Sequence, residues 1–244
     1  MHLMQLRDLL VEQLRGSSFE AETYFAGGCV RDWLLDKQTE LQEADVCVHL
    51  EEGGIKLADF LCSSLHGSQF ISHPEFGTAA FSYEGLRLEF VATRKEMYRK
   101  NSRFPQVSFG SLEEDVLRRD FTINSLLMQV STANVLDLTG MGLDDLRAGL
   151  IRCIGNPREK FREDPLRLIR AFRFAVRFGF TIEPLTREAW QSEAGGLRKL
   201  SRRAIESELN KLDAARRGEL TDRLGHFLGS YSDNNPPDSS TNNS

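Results

Sequence analysis

The residues of this chain whose types and spacing suit chemistry begin at a pair of glycines. In Tyr24-Phe25-Ala26-Gly27-Gly28-Cys29-Val30-Arg31-Asp32 a short apolar run meets Gly27 and Gly28 and then a polar pair. With no Cβ in the way, backbone N–H groups at such a corner can approach a phosphate, all the more if a helix opens there. A tight turn that binds nothing would use the same glycines. Farther on, Ala44-Asp45-Val46-Cys47-Val48-His49-Leu50 alternates like a strand, which sets Asp45, Cys47 and His49 on one face. Arg118, Arg119, Asp120 and Asn124 make a dense polar group beside an apolar face. A surface salt-bridge cluster would have the same composition. At 100° per residue, Arg167, Arg170, Arg173 and Arg177 fall within about a third of a helix circumference, so that stripe faces something anionic or polar.

The elements that must position these residues can be read from the same pattern. Met1 to Leu14 has apolar residues at helical spacing broken by Arg7, Asp8, Glu12 and Gln13, an amphipathic helix lying on the domain and neither a signal peptide nor a membrane span. A helix opens at Val30 to Leu35, a loop covers Asp36 to Gln42, and Ile55 to Leu65 is helical. Phe70 to Ser72 and Thr78 to Tyr83 read as strands, and Leu86 to Val91 follows Gly85 as the second arm of a hairpin. Lys95 to Leu112, with Tyr98, Arg99, Lys100, Arg103 and Pro105, reads as a long mobile loop. Glu113 to Met128 starts after Ser111 with carboxylates in its first turn and reads as one helix. Val135 to Leu138 is a short strand, and Gly140 to Leu150 a turn plus a short helix. Helices then dominate, over Asp164 to Arg177, to Trp190 and over Arg202 to Leu212, with one more piece to about Leu228 and a polar, disordered tail from Ser230. The order predicts an α+β mixed sheet with flanking helices over residues 1–150, a helical segment over 151–228 and a tail over 229–244.

Composition agrees with a folded chain: 244 residues with 40% hydrophobic and 27% charged can bury a real core. The net charge of −5 hides an asymmetry. Ile151 to Arg217 carries 16 Lys or Arg against 9 Asp or Glu, leaving 15 basic and 27 acidic residues elsewhere. A basic helical segment joined to an acidic module is a footprint for a phosphate-bearing partner, although a solvated helix face has the same charge. Four cysteines without C-x-x-C spacing argue against zinc and predict free thiols in the cytoplasm.

Five motifs in one order, over roughly Tyr24 to Leu212, extend this reading. Gly27-Gly28-Cys29-Val30-Arg31-Asp32, the strand around Asp45, Leu88-Glu89-Phe90, Arg118-Arg119-Asp120-Phe121-Thr122-Ile123-Asn124 and Glu163-Asp164-Pro165-Leu166-Arg167-Leu168-Ile169-Arg170 resemble the head and neck of the class II tRNA nucleotidyltransferase and bacterial poly(A) polymerase family. The resemblance implies a nucleotidyltransferase palm followed by a helical neck. It implies template-free transfer of CMP or AMP to the 3′ end of tRNA or a related RNA, from ATP or CTP with Mg²⁺. Such transfer needs carboxylates that hold two Mg²⁺ ions, one activating the 3′-hydroxyl and one neutralising the triphosphate. By resemblance Asp45 belongs to an Asp-x-Asp strand and Glu89 is the third carboxylate. Gly27, Gly28 and Arg31, helped by Arg119, would hold the triphosphate, with Asp32, Asp120 and Asn124 bracing the site. Asp164 and Arg167 would read the base edge, as carboxylate acceptor and guanidinium donor, with Arg170 and Arg173 beside them. Asp164 before Pro165 is equally a good helix start, and Arg167 can pair with Glu163.

Two features depart from the family pattern. The strand holds no Asp-x-Asp: one register pairs Asp45 with Cys47 as metal ligands, and a shifted one pairs Glu43 with Asp45. A thiol is a poor ligand for Mg²⁺, so the first register predicts a weak metal site and the second an intact one. The family's body and tail domains, which hold the tRNA, do not follow the neck here, and a partner subunit would supply them. CCA addition and A addition both stay open, as does a catalytically degenerate nucleotide- or RNA-binding protein of the same fold.

Overall fold

A computed structural model of the chain describes residues 1–97 and 106–232. Contacts divide it into two compact units, Met1–Ala148 and Gly149–Ser244. In the first, α1 (Leu3–Leu14) leads through β1 (Thr23–Ala26), α2 (Gly28–Leu35), β2 (Glu43–Val48) and α3 (Gly53–Ser64) to β3 (Ser68–His73), β4 (Thr78–Tyr83) and β5 (Leu86–Ala92). A ribbon of β6 (Arg94–Met97) and β7 (Gln106–Phe109) follows, then α4 (Leu112–Leu117), β8 (Leu127–Gln129), β9 (Val135–Leu136) and α5 (Gly142–Ala148). The strands form one seven-stranded sheet in the order β3-β4-β5-β2-β1-β8-β9. Only β2 and β5 run parallel in it, so the sheet is mixed as the α+β pattern predicts.

One face of this sheet is mostly apolar. Phe25, Val46, Val48, Phe81, Leu88 and Phe90 are buried on it, and the Leu3, Leu6, Leu10 and Leu14 stripe of α1 and the Leu57, Ala58 and Leu61 stripe of α3 are buried as well. The helical spacing of those leucines is why the two helices form and turn inward. Glycine at 54 lets α3 press its backbone on the sheet: a Cβ there would meet Ala92 N and Gly77 O, each at 2.8 Å. The β4–β5 hairpin turns through Glu84 and Gly85 with φ of 48° and 80°, two successive left-handed residues as a two-residue turn matched to strand twist requires.

Two expectations are corrected here. The ends of the segment read as a loop over Lys95 to Leu112 pair as β6 and β7, with Arg94 opposite Phe109 and Met97 opposite Gln106. Its named tip residues, Tyr98, Arg99, Lys100, Arg103 and Pro105, lie outside the described residues. The single helix expected over Glu113 to Met128 ends at Leu117. Beyond it Asp120 accepts a hydrogen bond from the backbone N–H of Phe121 at 2.8 Å, Thr122–Asn124 make one 3-10 turn, and the chain straightens into β8. Short polar side chains that bond to nearby backbone compete with the helix, and three of them stand in Asp120-Phe121-Thr122-Ile123-Asn124.

Among the described residues the second unit holds a short parallel pair, β10 (Leu150–Ile151) and β11 (Thr181–Ile182), and the α-helices α6 (Pro157–Glu163), α7 (Leu166–Phe178), α8 (Pro184–Glu193), α9 (Arg202–Leu209) and α10 (Ala214–Ser232). The helix expected over Asp164 to Arg177 is preceded by a separate α6, because Pro165 has no N–H with which to continue the ladder. Residues 230–232, expected in the polar tail, belong to α10. Among the described residues no helix is long and apolar enough to cross a membrane.

Candidate active site

The second face of the sheet carries the chemistry. Cross-strand pairing aligns Ala26 of β1, Asp45 of β2, Glu89 of β5 and Ala80 of β4 in one row, so Asp45 and Glu89 point to the same side. The row lies in a cleft of 420 Å³ whose lining includes Asp45, His73, Arg87, Glu89, Arg118 and Arg119. Asp45 also reaches the glycine corner: its Oδ2 is 3.9 Å from where a Cβ on Gly27 would stand. Gly27 takes φ 64° and ψ −118°, a conformation open to glycine, and α2 starts directly after it with no side-chain cap. The Gly27 N–H is engaged by Leu126 O at 3.0 Å, so the donors left at the corner are those of the first turn of α2.

Arg119 reaches the same corner at the end of an arginine–carboxylate network. Arg119 Nη1 is 3.3 Å from the Gly27 Cβ position and donates to Asn124 O at 3.3 Å. Its Nη2 donates to Asp115 Oδ2 at 2.8 Å, while Arg118 donates to Asp115 Oδ1 at 2.7 Å and to Glu96 Oε1 at 3.0 Å. Arg94 reaches the same Glu96 oxygen at 3.1 Å. Asp115 is fully buried, which would raise its pKa, yet Arg119 and Arg118 outweigh burial and hold the carboxyl below its ordinary value. For Arg119 burial works against the charge, but Asp115 prevails and the guanidinium pKa rises. Asp115 and Glu96 were not among the residues singled out from the sequence. A carboxylate in the first turn of α4, with arginines three and four residues on, was the available signal for Asp115. Glu96 sits on β6 and meets Arg118 only through the fold.

The predicted residues separate into three groups. Gly27, Gly28, Asp45, Glu89 and Arg119 gather at the corner and cleft. Arg31, expected on the triphosphate, is 2% exposed; its guanidinium bonds to Asp32 Oδ1 at 2.7 Å and to Asn124 Oδ1, and Asn124 in turn donates to Asp120 Oδ1 at 3.1 Å. Arg31, Asp120 and Asn124 thus form one buried network beside the glycines, with Arg31 Nη2 3.6 Å from where a Cβ on Gly28 would stand. Cys47, paired with Asp45 as a metal ligand in the ungapped register, packs with Tyr24, Ala26, Val116 and Leu127 in an apolar cluster. Burial pushes its thiol up to about 12, which together with its place in that cluster weighs against its use as a ligand. Glu43 shares the Asp45 face, is exposed, and stands opposite Arg87.

The neck residues lie in the second unit. Asp164 accepts from Leu166 N at 3.1 Å, opening α7, and Arg167 donates to Glu163 Oε2 at 2.7 Å and to Lys160 O at 3.0 Å, the local pairing that the sequence allowed. The arginine stripe does not turn to solvent as a whole: Arg173 is 3% exposed, its Nε lies 2.7 Å from Glu208 Oε2, and Arg170 lies 3.9 Å from the same carboxylate. Glu208 of α9 faces the Arg170 and Arg173 part of that stripe, and Glu163 the Arg167 end.

Comparison with known proteins agrees with this geometry. Across the chain, a CCA-adding enzyme of Levilactobacillus brevis is 40% identical over 86% of this chain and 51% of its own length. The tRNA nucleotidyltransferase cca2 of Schizosaccharomyces pombe is 31% identical over 91% of this chain and 49% of its own. A crystal structure of a tRNA nucleotidyltransferase complexed with a primer tRNA and an incoming ATP analog superposes with a TM-score of 0.71 at 31% identity, covering 86% of this chain and 59% of that one. The chain therefore spans about half the length of the curated relatives it matches. Residues 23–152, which contain the glycine corner, both carboxylate strands and the arginine network, match the poly A polymerase head domain, and the chain belongs to that family.

Proposed function

We propose that this protein is a template-free RNA nucleotidyltransferase that adds CMP or AMP to the 3′ end of tRNA or a related RNA. The observation that carries the reading is the alignment of Asp45 and Glu89 on neighbouring strands beside the Gly27 corner. Relatives named as CCA-adding enzymes and tRNA nucleotidyltransferases support it. Two exposed carboxylates on one face fit Mg²⁺, which takes hard oxygen ligands and is held by one or two carboxylates together with substrate phosphates. Asp45 and Glu89 would hold it, with Glu43 as the next acidic oxygen on that face. When bound, the ion lowers the pKa of the attacking hydroxyl and neutralises charge on the triphosphate.

The chain's own residues do the rest by positioning. The glycine corner admits the phosphates to the N–H groups of the first turn of α2, where the helix dipole favours negative charge. Arg119, fixed on Asp115 and Asn124, adds a cation that needs no reorganisation when charge develops. The 3′-hydroxyl oxygen bonds to the α-phosphorus while its proton passes to solvent, and the bond to the departing pyrophosphate breaks. In the neck reading, Asp164 and Arg167 offer an acceptor and a donor to the base edge. The 151–228 segment would act as the helical neck, and the four free cysteines support a reducing, cytoplasmic setting.

A nucleotide-binding protein without turnover is the second reading, and one observation favours it: on the Asp45 face of β2 the flanking positions are Glu43 and Cys47, so the strand offers no Asp-x-Asp pair. The deciding experiment incubates the protein with Mg²⁺, labelled ATP or CTP, and tRNAs ending before, within and after CCA. Incorporation into the truncated tRNAs, lost in Asp45→Asn, is expected. No incorporation with any tRNA, alongside retained ATP binding, would select the second reading.

A further inference from the structure

Four charged side chains form a block on the open face of the sheet. Glu43 and Asp45 stand two apart on β2, Arg87 and Glu89 two apart on β5, and the parallel register sets Glu43 beside Arg87 and Asp45 beside Glu89. Paired residues on neighbouring strands are about 4.8 Å apart at the backbone and residues two apart on a strand about 6.6 Å, so three carboxylates and one guanidinium share a patch no larger than a nucleotide. The cation is engaged with one of them: Arg87 Nε lies 2.7 Å from Glu89 Oε1. Both side chains are about half exposed, at 44% and 48%.

We propose that Arg87 is an intrinsic counter-ion that holds Glu89 away from Asp45 in the unliganded protein and must release it for a divalent cation to bind. The inference rests on the metal reading above and goes beyond it by naming the competitor. Three observations support it. Asp45 and Glu89 are direct register partners, yet no three-carboxylate cluster is closed among the described residues, and the Glu89 oxygen is turned to Arg87. Arg87 lines the same cleft as Asp45 and Glu89, so its charge opposes any cation that enters. Arg118 and Arg119 also line that cleft, but each is bound to buried Asp115 and cannot serve as the movable plug. An exposed ion pair is worth little net free energy, which is what a displaceable partner requires. Arg87 then performs two tasks in sequence: it offsets carboxylate repulsion in the empty cleft, and once freed it is a cation beside the incoming triphosphate.

The test measures Mn²⁺, as a spin-active stand-in for Mg²⁺, by the electron paramagnetic resonance of the free ion over the full chain without nucleotide. Removing the competing charge in Arg87→Gln should tighten Mn²⁺ binding about three- to tenfold, as expected for loss of one nearby cation in a solvated site. Arg87→Lys, which keeps the charge, should stay within about twofold of the unaltered protein. Glu89→Gln should weaken binding in either background. Unchanged or weaker binding in Arg87→Gln, with Glu89→Gln still weakening it, overturns the counter-ion role and leaves the metal reading standing. Absence of saturable Mn²⁺ binding in both the unaltered protein and Arg87→Gln overturns both.

Discussion

Asp115 is the residue on which the head's charge balance turns. It is fully buried, and two guanidiniums, both largely buried, share its two oxygens. Replacing it with alanine would take from Arg119 its bidentate anion and leave Arg118 with Glu96, a loss of about 3 kcal/mol or more in urea unfolding, since breaking one side of a buried pair leaves an uncompensated charge. The pH dependence has a definite sign. The folded carboxyl lies below its ordinary value, so its stabilisation is complete above about pH 4 and fades as pH falls through the folded value; Asp115→Asn should remove that acid-side loss. Cys47 behaves in the opposite way. Placing a carboxylate there would bury an anion among Tyr24, Ala26, Val116 and Leu127, so Cys47→Asp should destabilise the head and lower activity, not complete a metal site. With the Cys29 and Cys47 thiols both pushed up to about 12, iodoacetamide at pH 8 should label partly exposed Cys62 well before either, read by mass spectrometry.

At the scale of elements, the β1–α2 corner and the α3–sheet contact use glycine for different reasons, and substitution separates them. Gly27→Ala forces a left-handed residue and sets a methyl 3.3 Å from Arg119 Nη1. Its stability cost should be about 1–2 kcal/mol, while ATP binding, followed by fluorescence titration, falls roughly tenfold through one disturbed charge-assisted bond. Gly54→Ala meets only backbone, so it should lower the melting temperature with ATP affinity per folded molecule unchanged. The same comparison shows which elements could be read in advance. α1 and the β4–β5 hairpin were legible because periodicity and Gly85 state their geometry locally. The β6–β7 ribbon was not, since Arg94-Lys95-Glu96-Met97 has no apolar alternation and forms by pairing. The early end of α4 depends on local bonds of Asp120, which a helical periodicity does not register. What sets Glu43 and Cys47 apart in the structure is burial, which alternation does not register: both share the Asp45 face, and Cys47 is covered while Glu43 is exposed.

At the scale of the whole molecule the charge division of the sequence remains, but its bearers change. Of the neck arginines that composition offers to RNA, Arg173 is committed to Glu208, whose carboxyl burial would raise and whose pKa is lowered by Lys211 and Arg173. Arg167 is likewise committed to Glu163. Charge reversal at Arg173 therefore tests stability first: Arg173→Glu would set two carboxylates together in a buried site and should unfold the second unit before any RNA contact is judged. Exposed cations lie elsewhere in the segment, and Arg198, Lys199, Arg202 and Arg203 are a run of them close in sequence. Arg202 is 87% exposed and holds only the i,i+4 partner Glu206, a surface pair of small net strength. If the neck grips RNA phosphates, these residues should do it, and each phosphate contact removed should lower the slope of log affinity against log salt by about one. The expected result is that Arg202→Gln with Arg203→Gln leaves the fold intact by circular dichroism, weakens tRNA binding at low salt and flattens the slope by about two. An unchanged slope in that double variant would show that Arg202 and Arg203 make no phosphate contact.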